Sequence, residues 1–162
     1  MRTVEGIADV EDVDAFVGRL AAVGEEYGVA VQAFDARYVV DREHLERAVA
    51  LANRAVERDD AIARDRAVEI LLYAAGRRQI DRALEMGVSA GGCPAVVVVD
   101  GDDEAGGADT VRAMLDPAET LGAYDRDRVL AFFGIGEAEL AATSAGLADL
   151  VRERVALLTV EK

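Results

Sequence analysis

The sequence predicts the α/β class: one domain over residues 1–162, built on a mixed sheet of about four strands packed with helices. Three observations carry this. Short β-branched runs alternate with amphipathic helical stripes, turn pairs typical of hairpins are missing between the runs, and the length is that of one domain with a single core.

In chain order, the first strand is expected over Thr3–Ala8, and the acidic stretch Asp9–Asp12 suits the N-terminus of the helix after it. In that helix Val13, Phe16, Val17, Leu20 and Val23 recur at i, i+3, i+4, i+7 spacing, and Gly24 and Gly28 bracket its end. Gly28–Phe34 reads as a second strand. Asp41 caps a second helix whose apolar stripe is Leu45, Ala48, Val49, Ala52, Ala55 and Val56. A third helix runs from about Ala63 to Ala75 with Ala67, Ile70, Leu71 and Ala74 inward, and Gly76 interrupts it. Helical spacing resumes at Ile80, Ala83 and Leu84 and ends by Gly87.

Ser89–Pro94 reads as a flexible connection into Ala95–Val99, whose four successive valines mark a buried central strand. Asp100–Asp109, glycine-rich and acidic, is expected to be a surface loop, with a short helix through Val111, Met114 and Leu115 behind it. Helical patterning returns over Asp125–Phe133 and Glu137–Glu153, separated by Gly134-Ile135-Gly136, and Val155–Val160 is expected as a closing strand.

Composition narrows function by exclusion. Acidic side chains number 32 against 18 basic ones, a net charge of -14, and Lys162 is the only lysine, leaving seventeen arginines. An acidic, lysine-poor surface around a normal core fits a salt-rich cytoplasm of halophilic type, where screening makes local clusters more informative than net charge. No apolar stretch nears the ~20 residues of a membrane span, and Met1–Val10 has no basic-then-apolar secretory pattern, so the protein is expected to be cytoplasmic. With Cys93 and His44 the sole cysteine and histidine, disulfides, thiolate zinc sites and most triads are excluded. No cofactor is expected.

The familiar motifs fail on specific residues. A phosphate loop needs a lysine after its glycines. Gly134-Ile135-Gly136 has Glu139 where a dinucleotide fingerprint needs glycine, and the acidic run from Asp100 has Ala105 and Val111 where a calcium loop needs glycine and a bidentate carboxylate. His44 lacks placed partners for general-base work, and Cys93 before Pro94 reads as a small apolar residue. What remains is Gly76-Arg77-Arg78-Gln79, where a broken helix presents guanidiniums and an amide, groups that recognise phosphates and base edges. The plain alternative is a solvated helix end whose arginines pair with Asp81 and Glu85.

The stretch Ala67–Leu84, with Ala75, Gly76, Arg78, Gln79 and Ile80 at its centre, resembles the signature of the KEOPS accessory subunit, the small protein that binds the complex's atypical kinase. The similarity extends to Val39–Ala55 and to Glu153–Leu158, and it departs in the Asp100–Asp109 region and in the near absence of lysine. The resemblance implies a non-catalytic subunit supporting threonylcarbamoyladenosine modification of tRNA, with the kinase and the single-stranded tRNA 3′ CCA end as partners and no role for membrane or DNA. Gly76, Arg77, Arg78 and Gln79 are then the expected tRNA site, with Tyr73 as a stacking surface. Surplus apolar residues in the C-terminal part, Phe132, Phe133, Ile135, Leu140, Leu147 and Leu150, are the expected kinase surface. A small enzyme or ligand-binding module with an unrecognised pocket is the competing reading.

Overall fold

The computed structural model describes residues 1–161. Strands β1 (Arg2–Val10), β2 (Val29–Asp35), β3 (Gly91–Gly101) and β4 (Asp116–Pro117) form one sheet in the order β2-β3-β1-β4. The helices are α1 (Val13–Tyr27), α2 (Arg42–Glu57), α3 (Arg66–Ala75), α4 (Ile80–Ala83), α5 (Glu104–Arg112), α6 (Arg126–Phe133), α7 (Glu137–Ala142) and α8 (Leu147–Glu161). None of them is long and apolar enough to cross a membrane.

The α/β class and the four strands are as expected, but every pairing is antiparallel, where a mixture of directions was expected. Alternation along the strands divides the interior in two. Val4, Ala8, Val29, Val31, Val97 and Val99 pack with Phe16 and Leu20 of α1 and Val111 of α5. Ala30, Phe34, Val96 and Val98 face α2, α3, α6 and α8. The valine run of β3 is thus buried on both faces, Val96 to Val99 being fully inaccessible. That strand also includes Gly91–Pro94, expected as a flexible connection. Asp102 donates its backbone N–H to Gly28 O at 3.0 Å, so even-numbered β3 residues turn their backbone groups toward β2. Pro94 is even-numbered and its register partner would fall beyond Asp35, where β2 has ended, so its missing N–H breaks no ladder bond.

Two local expectations are corrected. Most of the expected surface loop Asp100–Asp109 is helical: Asp103 caps α5 through Gly106 N (3.0 Å). Its glycines serve close packing, since a Cβ at Gly107 would lie 3.1 Å from Val99 Cγ1 and one at Gly106 2.7 Å from the Tyr27 ring. The expected closing strand Val155–Val160 is the C-terminal half of α8, where Leu147, Leu150, Val151, Val155 and Leu158 form one buried stripe at helical spacing. The fourth strand is instead the two-residue β4 on the far edge of β1.

Candidate functional site

The Gly76–Gln79 junction is shaped by the end of α3. Gly76 adopts the left-handed conformation (φ 61°, ψ 33°), with its N–H on Tyr73 O (3.1 Å) and Arg77 N on Leu72 O (3.0 Å), which closes the helix with paired backbone bonds. A side chain there would be doubly penalised, because a Cβ would also stand 3.0 Å from Arg154 O of α8. The glycine therefore ends α3 and lets α8 approach it.

The preceding turn is held by His44. Its imidazole is fully buried, with Nδ1 accepting from Val40 N (3.4 Å) and Nε2 donating to Ala74 O (2.8 Å), and its ring packs edge-on against Phe133. Burial pushes its pKa down to about 4, against the raising effects of the Ala74 carbonyl and Asp41. His44 is a neutral brace inside the core and has no route to a substrate. Asp41 caps α2 as expected, accepting from His44 N at 2.8 Å, and its other oxygen holds Arg152 of α8 at 2.7 Å.

The four expected tRNA-site residues stand together but not alike. Arg77 is half-buried: its guanidinium donates to Phe132 O and lies 5.0 Å over the Phe132 ring. It acts with Arg154, which donates to Phe133 O (3.2 Å) and Gly134 O (3.3 Å) and clasps Glu139 through two bonds of 3.1 and 2.8 Å. These two cations satisfy the last carbonyls of α6, the negative end of its dipole, and Arg154's bonds hold the Glu139 carboxyl below the usual carboxylate range. Arg78 and Gln79 are exposed. Gln79 precedes α4 without a side-chain capping bond, and among the described residues Arg78 makes no ion pair, so the alternative pairing with Asp81 and Glu85 is absent. Beside the junction lies a largely polar cleft of about 190 Å³, lined by Ala75, Gly76, Arg77, Phe133, Arg154 and Leu157.

Two expectations about surfaces are corrected here. Tyr73, expected to offer a stacking ring, is 1% exposed and belongs to the core. Of the expected kinase-surface residues, Phe132, Phe133, Ile135, Leu147 and Leu150 are buried, and Leu140 is half-buried against them. The surplus of apolar positions is consumed internally: the two phenylalanines meet edge-on at 5.0 Å, and Phe132 also meets Tyr38 at 5.5 Å. Sequence reasoning also missed two exposed apolar side chains of α8, Leu157 and Val160, 38% and 81% exposed, because Val155–Val160 was expected as a strand. The stripe Leu147, Val151, Val155, Leu158, continued at helical spacing, was the signal that places them outside it.

A protein-family model described as kinase binding protein CGI-121 matches residues 7–159, nearly the whole chain. The chain belongs to that family. No curated protein matches it.

Proposed function

We propose that this chain is a non-catalytic KEOPS subunit that docks on the complex's atypical kinase and binds the tRNA 3′ CCA end, supporting threonylcarbamoyladenosine formation in the cytoplasm of a salt-adapted cell. The observation that carries the RNA part is the division of labour at the junction. Arg77 is spent on the α6 carbonyls, while Arg78 and Gln79 stand exposed on a backbone fixed by Gly76 and His44. A planar guanidinium and an amide held this way suit splayed bases and phosphates of a single strand. Family membership supports the kinase part, and the non-catalytic reading accords with the commitment of the sole histidine to the core.

The kinase contact, with Phe132, Phe133, Ile135, Leu147 and Leu150 interior, is assigned to the same C-terminal segment but to its outer face, Leu157 and Val160, with half-buried Leu140 on the flank. The RNA assignment is tested by tRNA binding with and without the CCA end. Arg78→Ala should weaken binding of intact tRNA by about 1 to 3 kcal/mol if the guanidinium makes a bidentate base contact, and Arg82→Ala, at an exposed position on α4, should not. Equal binding of intact and trimmed tRNA refutes it. For the kinase face, Leu157→Glu with Val160→Glu should abolish co-elution with the kinase subunit while the circular dichroism spectrum stays helical, and undiminished co-elution refutes that assignment.

A further inference from the structure

The sheet has two edges of different character. One is the two-residue β4; the other is β2, seven residues long, without proline or lysine to blunt it. The register fixes which backbone groups of β2 are free. Gly28 O accepts from Asp102 N, so Gly28, Ala30, Gln32 and Phe34 turn toward β3, and Val29, Val31 and Ala33 turn their N–H and C=O groups away from the sheet. Val29 O is covered by α1, where a Cβ on Gly24 would lie 2.7 Å from it, and Ala33 O accepts from its neighbour Gln32 Nε2 at 2.9 Å. Val31 N–H, Val31 C=O and Ala33 N–H have no hydrogen-bond partner among the described residues.

These groups form the floor of an open groove of about 480 Å³ between α1 and the start of α3, walled by Val17, Leu20, Ala21, Ala67 and Val68. That volume lies in the range of about 300–1,000 Å³ typical of binding sites, and Val17 on its wall is 50% exposed. The polar groups on its rim are unequal. Glu25 is exposed, and so is Asp65, which caps α3 through Oδ1 (Ala67 N at 2.7 Å) and has its other oxygen to offer. The cation among the described lining residues, Arg66, is bound to Asp100 (2.7 Å) and Asn53 (2.9 Å).

We propose that this groove takes a short, basic, extended segment of a partner protein, which adds to β2 as a fifth strand. The free donors and acceptors demand an extended backbone, the apolar walls take its alternate side chains, and Glu25 and Asp65 take its cations. A second copy of this chain is the wrong occupant, since two grooves with acidic rims on chains of net charge -14 would face each other.

The test uses the full-length protein and a synthetic peptide of about six residues, a common strand length, alternating arginine and valine. Residue-resolved amide exchange should show Val31 and Ala33 exchanging fast in the free protein and at least tenfold slower with the peptide, while Ala30 and Gln32 are slow throughout. Val31→Pro removes an outward N–H that no β3 residue uses, and should abolish binding. Should that variant misfold, Glu25→Arg, at an exposed position, should weaken binding about fivefold. A proline-interrupted peptide of equal charge that binds as well, or protection confined to other amides, would overturn the proposal by showing mere charge attraction. Concentration-dependent protection of Val31 in the free protein would overturn it in favour of self-pairing.

Discussion

His44 connects the stability of the fold to the geometry of the candidate site, because the imidazole that bonds Ala74 O is kept neutral by the burial the fold provides. In the folded protein its pKa is pushed down by burial to about 4, whereas in the unfolded chain it takes the ordinary value near 6.5. Below pH 6.5 the unfolded chain therefore binds a proton that the folded chain refuses. Stability from this group is fully present above pH 6.5, falls as pH is lowered, and is lost by about pH 4. The gap corresponds to roughly 3 kcal/mol. The structural reason is plain. Protonating Nδ1 would set a donor against Val40 N–H, and a charge would appear in a fully buried site beside Phe133. Because the chain has one histidine, a single imidazole resonance followed by NMR should report the folded-state titration directly. Urea denaturation of the natural chain and of His44→Gln, whose amide can serve both backbone partners without titrating, removes the contribution of the carboxylates. The two stability curves should run parallel above pH 7 and diverge by about 3 kcal/mol by pH 4. A resonance that titrates with its midpoint above pH 6, or curves that stay parallel, would refute the reasoning.

Three further outcomes follow from the packing. Gly76→Ala should destabilise the protein by about 1–2 kcal/mol for the left-handed backbone alone, with more from the approach to Arg154 O, read as a lowered urea midpoint at unchanged slope. Leu158→Ala should cost about 2–5 kcal/mol, whereas Val160→Ala, on the exposed side of the same helix, should change stability by less than about 0.5 kcal/mol; similar costs at both positions would contradict the helical stripe. Arg154→Met keeps an unbranched apolar stem but removes the bonds to Phe133 O, Gly134 O and Glu139, and should raise the Glu139 carboxyl toward its ordinary range, measurable by carbon-detected NMR titration.

The parts of the fold that were legible in the sequence are those decided locally. Asp41 before an apolar stripe, Gly76 after one, and a run of valines behind a proline each specify backbone conformation within a few residues. Where packing decides instead, local reading misled. Val155–Val160 has β-branched residues that favour a strand, but Val155 and Leu158 continue the stripe begun at Leu147, and that burial outweighs a propensity of a few tenths of a kcal/mol per residue. Gly106 and Gly107 look like loop glycines and are small because Tyr27 and Val99 stand against them. At the site, the junction Gly76–Gln79 was visible as a broken helix. That Arg77 is committed to a carbonyl 55 positions away, and that Tyr73 and Phe132 point inward, depends on long-range contacts that no window of sequence contains.

An acidic chain can hold an RNA end only if its cations are sorted locally, and the arginines near the junction show such sorting. Arg152 is bound to Asp41 and Asp149, Arg154 to Glu139, and Arg77 to a backbone carbonyl. Each binds the fold to itself and offers little to a ligand. At the ~1 M salt of a salt-adapted cytoplasm charges are felt over only about 3 Å, so Arg78 answers to its immediate surroundings rather than to the net charge of -14. An RNA contact resting on so few groups gains little from long-range attraction and must draw its affinity from hydrogen bonds and stacking made by groups already in place. The left-handed Gly76, the neutral His44 behind Ala74 and the Arg77 clamp on α6 supply that placement. In the proposed assembly these residues therefore weigh on tRNA binding through the backbone that carries Arg78.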